Sequence, residues 1–147
     1  QPFGDPDAVL TYVDATAGAL MWTAARRCGA PESTREIVAH QARGAGLAAW
    51  LRALPQLQAV RLGLEPARPE DAVALAKQAR DGLRMAARMH RKLPRRAAAA
   101  LYPSPRVPRL LSEIMAGRCD PFAATPAITP SSGASLARLA LTGHWWR

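Results

Sequence analysis

The sequence predicts an all-α fold, a helical bundle of about four longer helices and one or two short ones. Three observations support this. Apolar residues recur at steps of three and four along several segments, and these segments open at proline or acidic residues and close at glycine or proline. No segment shows the alternation of a β-strand. The chain has 147 residues, which is long enough to bury a core, and we expect one domain over 1–147.

The first predicted helix begins at Asp5 and ends at Gly29. Asp5 is a suitable N-cap, Pro6 fits the first helical position, and Asp7 complements the helix dipole. The apolar residues at helical spacing are Val9, Leu10, Val13, Ala17, Leu20, Met21, Ala24 and Cys28. We expect this face to belong to the core.

The second predicted helix runs from Ser33 to Pro55. Ser33 and Glu36 have the spacing of a capping box, and Pro55 is expected to end the helix. One face carries only small residues, which are Ala39, Ala42, Gly46, Ala49 and Ala53. Such a stripe lets a neighbouring helix or an apolar ligand approach closely, and helix packing is the favoured interpretation.

The third predicted helix begins at Pro69 and ends at Pro94. Its apolar face holds Val73, Ala76, Ala79, Leu83, Ala86, Ala87, His90 and Leu93. Its polar face holds Lys77, Arg80, Asp81, Arg84, Arg88 and Arg91. Arginines crowd the C-terminal end, where they also suit the negative pole of the helix.

The remaining part of the chain predicts shorter elements. Short helices are expected over 97–102 and 107–116, followed by an irregular loop over 123–132. Ser132 is a suitable cap for a last helix, so the tail 123–147 is predicted to be a loop and a terminal helix. Trp145 and Trp146 beside Arg147 are typical of an interfacial anchor, although both rings could equally pack on the domain.

The charge balance favours an anionic partner. Lys and Arg number 20 against 11 Asp and Glu, which gives a net charge of +9. An acidic protein or an anionic membrane surface suits this charge better than nucleic acid, because aromatic residues make up only 5% and do not alternate with cations. The alternative is that the positive charge is simply solvated and binds no partner. The candidate partner-binding residues are Arg84, Arg88, Arg91, Arg95, Arg96, Trp145 and Trp146.

A metal site and a transmembrane helix have little support in the sequence. Cys28 and Cys119 are too few and too far apart for a metal cluster, and the three histidines have no partner at ligand spacing. No apolar run approaches the roughly 20 residues of a membrane span. We therefore expect a soluble or peripheral protein with no metal site.

Two segments carry a family resemblance. GAGLAAWLRALP, from Gly44 to Pro55, and YVDATAG, from Tyr12 to Gly18, resemble the C-terminal half of the squalene/phytoene synthase family. Members are all-helical head-to-head prenyltransferases, so the resemblance implies a partial isoprenoid-synthase-like fold. Their matching helix bears an acidic motif that holds the substrate diphosphate through magnesium. The positions that the resemblance places at the cavity or groove are Tyr12, Gly18, Gly46, Ala49, Arg52 and Ala53.

The acidic motif itself is missing from this sequence. Ala53, Gln56 and Leu57 stand where the family has Asp, Glu and Asp, and Gly46 and Ala49 replace Gln and Asn. Leu51 and Arg52 match the family. The version Leu-Arg-Ala-x-Pro is more similar to a divergent branch that includes a mitochondrial complex I assembly factor, in which catalysis is thought to be lost.

The resemblance therefore implies a non-catalytic accessory or assembly subunit of a larger, membrane-associated complex of respiratory type. Such a protein needs no cofactor and no catalytic residue, binds other protein subunits, and lies at the cytoplasmic side of a bacterial membrane or in the mitochondrial matrix. Two alternatives remain. One is a prenyltransferase that condenses isoprenyl diphosphates with magnesium, and the other is a lipid-binding module that retains an apolar cavity.

The resemblance also predicts an incomplete core. In the family, further helices precede the one that matches Tyr12, and together they surround a central cavity. A chain with only the later helices is expected to leave some apolar side chains partly without neighbours, and thus to need a partner. These side chains are Leu10, Val13, Leu47, Val73 and Leu83.

Overall fold

The computed structural model describes residues 1–102 and 106–123, and in these residues the predicted all-α fold is confirmed. In chain order the helices are α1 (Pro6–Val13), α2 (Ala19–Arg27), α3 (Arg35–Ala59), α4 (Pro69–Met89), α5 (Arg95–Ala100) and α6 (Val107–Met115). Among them α3 and α4 are long, with 25 and 21 residues, and the other four have six to nine residues each. Among the described residues, the only β-type pairing is an isolated parallel bridge between Phe3 and Leu64.

The first helical segment starts and stops at the predicted residues. The backbone N–H of Ala8 donates a hydrogen bond of 2.7 Å to the Asp5 carboxylate, and Gly29 has a φ of 86°, which favours glycine. Between α1 and α2 the chain makes a π-helical segment at Asp14–Gly18, so one continuous helical path has two α-helical parts.

The predicted start of α3 is wrong. A 3₁₀ turn at Glu32–Thr34 precedes α3, and Thr34 rather than Ser33 is the N-cap, with no side-chain capping bond. The buried Thr34 hydroxyl instead donates to the Pro31 carbonyl at 2.7 Å. Pro31 has an extended backbone and opens the 3₁₀ turn. The turn therefore occupies the residues that a capping box would need.

The predicted end of α3 is also wrong, because the helix passes through Pro55 and continues to Ala59. A proline removes one backbone hydrogen bond, but Leu54 is fully buried and Leu57 packs against the same core, so burial on both sides of Pro55 favours the helix. The helix ends in a Schellman arrangement, with Leu62 N–H bonded to Leu57 and Arg61 N–H bonded to Gln58. Arg61 takes the left-handed conformation (φ 56°) that usually marks a glycine.

Helix α3 packs between the α1–α2 segment and α4, which both run antiparallel to it. Two groups of buried side chains fill the bundle. One group joins the start of α1, the end of α3, the start of α4 and α6, and includes Val9, Leu54, Leu75, Leu111 and Ile114. The other joins the end of α2, the start of α3, the end of α4 and α5, and includes Ala25, Ile37, Ala86, Leu93 and Ala97. The bundle therefore has two distinct ends.

The expected gap in the core is largely absent from the described part of the chain. Val13 and Leu47 are buried, so the expectation that they partly lack neighbours is wrong, and Leu10 and Leu83 are half-buried and pack against the same core. Val73 is 37% exposed, but it does not belong to the inner face, because Leu75 occupies that place with no exposure. Helices α1, α3, α4 and α6 supply one another's neighbours.

The short helices α5 and α6 lie within a few residues of their predicted bounds, and Gly117 (φ 66°) follows α6 as expected. The predicted last helix, most of the loop before it and the Trp145-Trp146 tail fall outside the described residues. None of the described helices combines the length and apolar character that crossing a membrane requires.

Candidate functional site

Gly46, the centre of the predicted stripe, is a helix-packing position. A Cβ atom at Gly46 would lie 2.6 Å from Val13 Cγ1 and 2.8 Å from Ala17 Cβ, so the missing side chain lets α3 approach the first helical segment. Ala42 is buried, whereas Ala39 and Ala49 are exposed and Ala53 is half-buried. The stripe therefore does not form one continuous groove, and packing is limited to its centre.

The other groove candidates are dispersed. Tyr12 is 49% exposed and its ring lies 5.4 Å from that of Phe3, which in turn contacts the buried Trp50 at 5.8 Å. Gly18 has open space around it, since a Cβ atom there would meet only the Val13 carbonyl oxygen, at 3.9 Å, and Arg52 is exposed. Tyr12 thus belongs to an aromatic contact at the surface of α1.

Two further glycines, Gly44 and Gly82, lie where α3 and α4 cross. A Cβ at Gly44 would lie 2.7 Å from the Ala79 carbonyl oxygen, and a Cβ at Gly82 would lie 2.8 Å from the His40 carbonyl oxygen. The backbones of α3 and α4 therefore cross in direct contact. A glycine inside a helix costs about 1 kcal/mol relative to alanine, so its presence mid-helix was a usable signal of close packing.

The three positions that the resemblance matches to the acidic motif, Ala53, Gln56 and Leu57, offer no carboxylate. Gln56 is exposed, Ala53 is half-buried, and Leu57 packs against the core. Nowhere in residues 1–102 and 106–123 do three or more His, Cys, Asp or Glu side chains form a group that could hold a metal ion. The structure therefore offers no carboxylate pair at this helix for a magnesium diphosphate.

The carboxylate within the YVDATAG segment is paired with an arginine. Arg43 Nε donates to Asp14 Oδ1 at 3.0 Å, and Arg43 Nη2 donates to the other carboxylate oxygen. This hydrogen bond and the attraction of Asp14 raise the pKa of Arg43. The pair joins the π-helical segment to α3 at the protein surface.

An open depression of about 600 Å³ lies away from the predicted groove. Its lining residues are Pro2, Gln58, Arg61, Leu64, Glu65, Ala67 and Phe122. None of the six groove candidates lines it. Gln58 Nε2 donates to the Leu64 carbonyl at 3.0 Å, so this side chain supports the loop after α3.

The most distinctive surface is basic and extends from the end of α4 to the start of α5. We call it the basic surface, and its residues are Arg84, Arg88, Arg91, Lys92, Arg95 and Arg96. All six side chains are exposed, and none takes part in an ion pair or a hydrogen bond with the described residues. Four of the five described ion pairs involve an arginine elsewhere in the chain.

Most of the net charge of the chain comes from residues 82–112, which contain the six cations of the basic surface together with Arg106 and Arg109. Residues 82–112 contain eight Lys and Arg and no Asp or Glu, so they contribute +8 of the total +9. The opposite end of the bundle, where α1 and α4 begin, carries Asp5, Asp7, Glu70 and Asp71, but also Arg106 and Arg109 at α6. The positive charge is therefore most concentrated at the end of α4 and the start of α5.

Packing beneath the basic surface fixes its shape. Leu93, Ala97 and Ala98 are buried under it, and Gln41 Nε2 donates to the Leu101 carbonyl at 3.0 Å, which ties α5 to α3. Because Gln41 is fully buried, this bond is shielded from water. The cations project from a packed base that α3, α4 and α5 form together.

Comparison of the chain with known protein families, curated proteins and solved structures finds no match.

Proposed function

We propose that this chain is a non-catalytic accessory or assembly subunit of a larger, membrane-associated complex of respiratory type, built on a decayed scaffold of the squalene/phytoene synthase kind. The observation that carries the proposal is the basic surface, whose exposed cations have no partner among the described residues. Unpaired surface charge of one sign steers a protein toward an acidic surface. Other subunits of the complex and the membrane on which it assembles are the partners.

The lack of carboxylates at positions 53, 56 and 57 of α3 supports the non-catalytic part of the proposal. A magnesium diphosphate needs several oxygen ligands, and Ala53, Gln56 and Leu57 provide no carboxylate. Asp14 is already bound by Arg43. We therefore expect no condensation of isoprenyl diphosphates by the purified chain with magnesium, measured by extraction and chromatography of the lipid products. A magnesium-dependent prenyl product would restore the enzyme interpretation.

A deletion experiment tests the assembly role. In the source organism, removal of the gene is expected to reduce one membrane complex on native gels while its individual subunits are still synthesised, because assembly rather than expression depends on the chain. Re-expression of the wild-type chain should restore that complex. Unchanged levels of all membrane complexes after deletion would contradict the assembly role.

A further inference from the structure

We infer that the basic surface binds the headgroups of an anionic lipid bilayer. The inference refines the membrane association in the proposed function and rests on it, but its ligand and its test are separate. The six cations lie between Arg84 and Arg96, on the last turns of α4, the 3₁₀ turn at His90–Lys92 and the first turn of α5. These elements meet at the end of the bundle that the second buried group fills, and we call the six cations there the array.

The density of the array is suited to a bilayer. A cluster of four to eight Lys and Arg next to a membrane is typical of proteins that bind anionic lipids, and each cation near the surface strengthens binding by about fivefold. Arg84 and Arg88 are one helical turn apart and lie side by side. Met85 is 38% exposed beside them and gives the array an apolar side chain that can enter the headgroup region.

The composition of the array favours lipid over nucleic acid. Residues 84–96 contain no Ser, Thr, Asn or Gln and no Phe, Tyr or Trp. These are the side chains that, with Arg, usually read base edges or stack on bases. The basic surface can bind phosphates, and for recognising bases it offers only its Arg and Lys side chains and His90.

The six cations form no hydrogen bonds with the described residues, and this favours a lipid bilayer over a single acidic protein as the partner. An acidic protein surface presents carboxylates at fixed positions, and complementary arginines are often oriented by hydrogen bonds. None of the six side chains is oriented in this way by the described residues. Mobile headgroups can instead rearrange around the cations, while the packed base beneath them needs no ordering on binding.

The position of the basic surface at one end of the bundle sets the orientation on the bilayer. The acidic residues at the starts of α1 and α4 lie at the end opposite to the second buried group, which supports the basic surface. An anionic membrane attracts the end that carries the basic surface. The bundle is expected to dock with α5 near the headgroups and the start of α1 away from them.

The test is co-flotation of the full chain with lipid vesicles. The vesicles contain either phosphatidylcholine alone or phosphatidylcholine with phosphatidylserine, and the salt concentration is varied. The wild-type chain is expected to bind only the vesicles that contain phosphatidylserine and to lose binding as salt shortens the Debye length. The triple variant R88Q/R91Q/R95Q should bind these vesicles roughly 100-fold more weakly, since three cations are removed.

A matched variant controls for net charge. R61Q/R68Q/R118Q removes the same number of charges from exposed residues outside the basic surface, and its binding should change by less than about threefold. Circular dichroism establishes that both variants are folded. Equal losses in the two variants, or no dependence on phosphatidylserine, would overturn the inference. A short DNA duplex or an acidic polypeptide that binds more tightly than the vesicles would also overturn it, whereas the assembly role depends on the deletion experiment alone.

Discussion

Replacement of Gly82 by alanine is expected to destabilise the fold by about 2–3 kcal/mol, although alanine is the better helix former by about 1 kcal/mol. The added Cβ atom would lie 2.8 Å from the His40 carbonyl oxygen and 3.4 Å from the Gly44 nitrogen. Both atoms belong to the backbone of α3, so no side chain can rotate away. The two helices would have to separate along their crossing, which loosens contacts on both sides.

The control for this prediction is Gly18→Ala. Gly18 also has a helical backbone, but a Cβ atom there would meet nothing closer than the Val13 carbonyl at 3.9 Å. This variant should be stabilised by about 0.5–1 kcal/mol through helix propensity. Urea unfolding followed by circular dichroism measures both free energies. If Gly82→Ala were as stable as the wild type, α3 and α4 would not be in backbone contact.

Truncation of Leu75 to alanine is expected to lower the free energy of unfolding by about 2–5 kcal/mol. Leu75 lies on α4 and is fully buried in the group that also contains Leu54 and Leu111. Val73→Ala should cost less than about 1 kcal/mol, since 37% of Val73 is already exposed. The pair discriminates between the inner face in the structure and the inner face that the sequence predicted.

Thermal or urea unfolding of the two variants in the same buffer provides the comparison. A larger loss for Val73→Ala than for Leu75→Ala would mean that α4 is rotated about its axis relative to the structure. The result also bears on partner binding. The sequence predicted that Val73 belongs to an incomplete inner face that a partner would cover. If Val73 points outward, it gives no evidence for such a partner.

The predicted start and end of α3 are wrong for the same physical reason. A local pattern such as Ser33 with Glu36 indicates what a short peptide prefers, but Pro31 starts a 3₁₀ turn that makes Thr34 the cap. Pro55 is unfavourable in an isolated helix, yet Leu54 and Leu57 bury enough apolar surface to continue it. The helix then ends at Arg61, which takes the left-handed conformation, and no glycine in the sequence marks this end.

The candidate site was only partly accessible to sequence reasoning. The position of Gly46 as a packing residue follows from its small neighbours, and Val13 and Ala17 do fill that space. The exposure of Ala39 and Ala49 does not follow from the pattern, because the α1 and α4 contacts cover only some faces of α3. The family resemblance at Tyr12 and Arg52 remains a prediction.

The sequence by itself determined the helical class, the Asp5 cap, the stop at Gly29 and the run of cations without acidic residues over 82–112, because these depend on local chemistry and composition. The tertiary structure alone decided the crossing at Gly44 and Gly82, the inward turn of Leu75 and the closure of the core around Leu47. These features depend on which helix faces meet, and that choice is made by the summed burial of residues far apart in the chain.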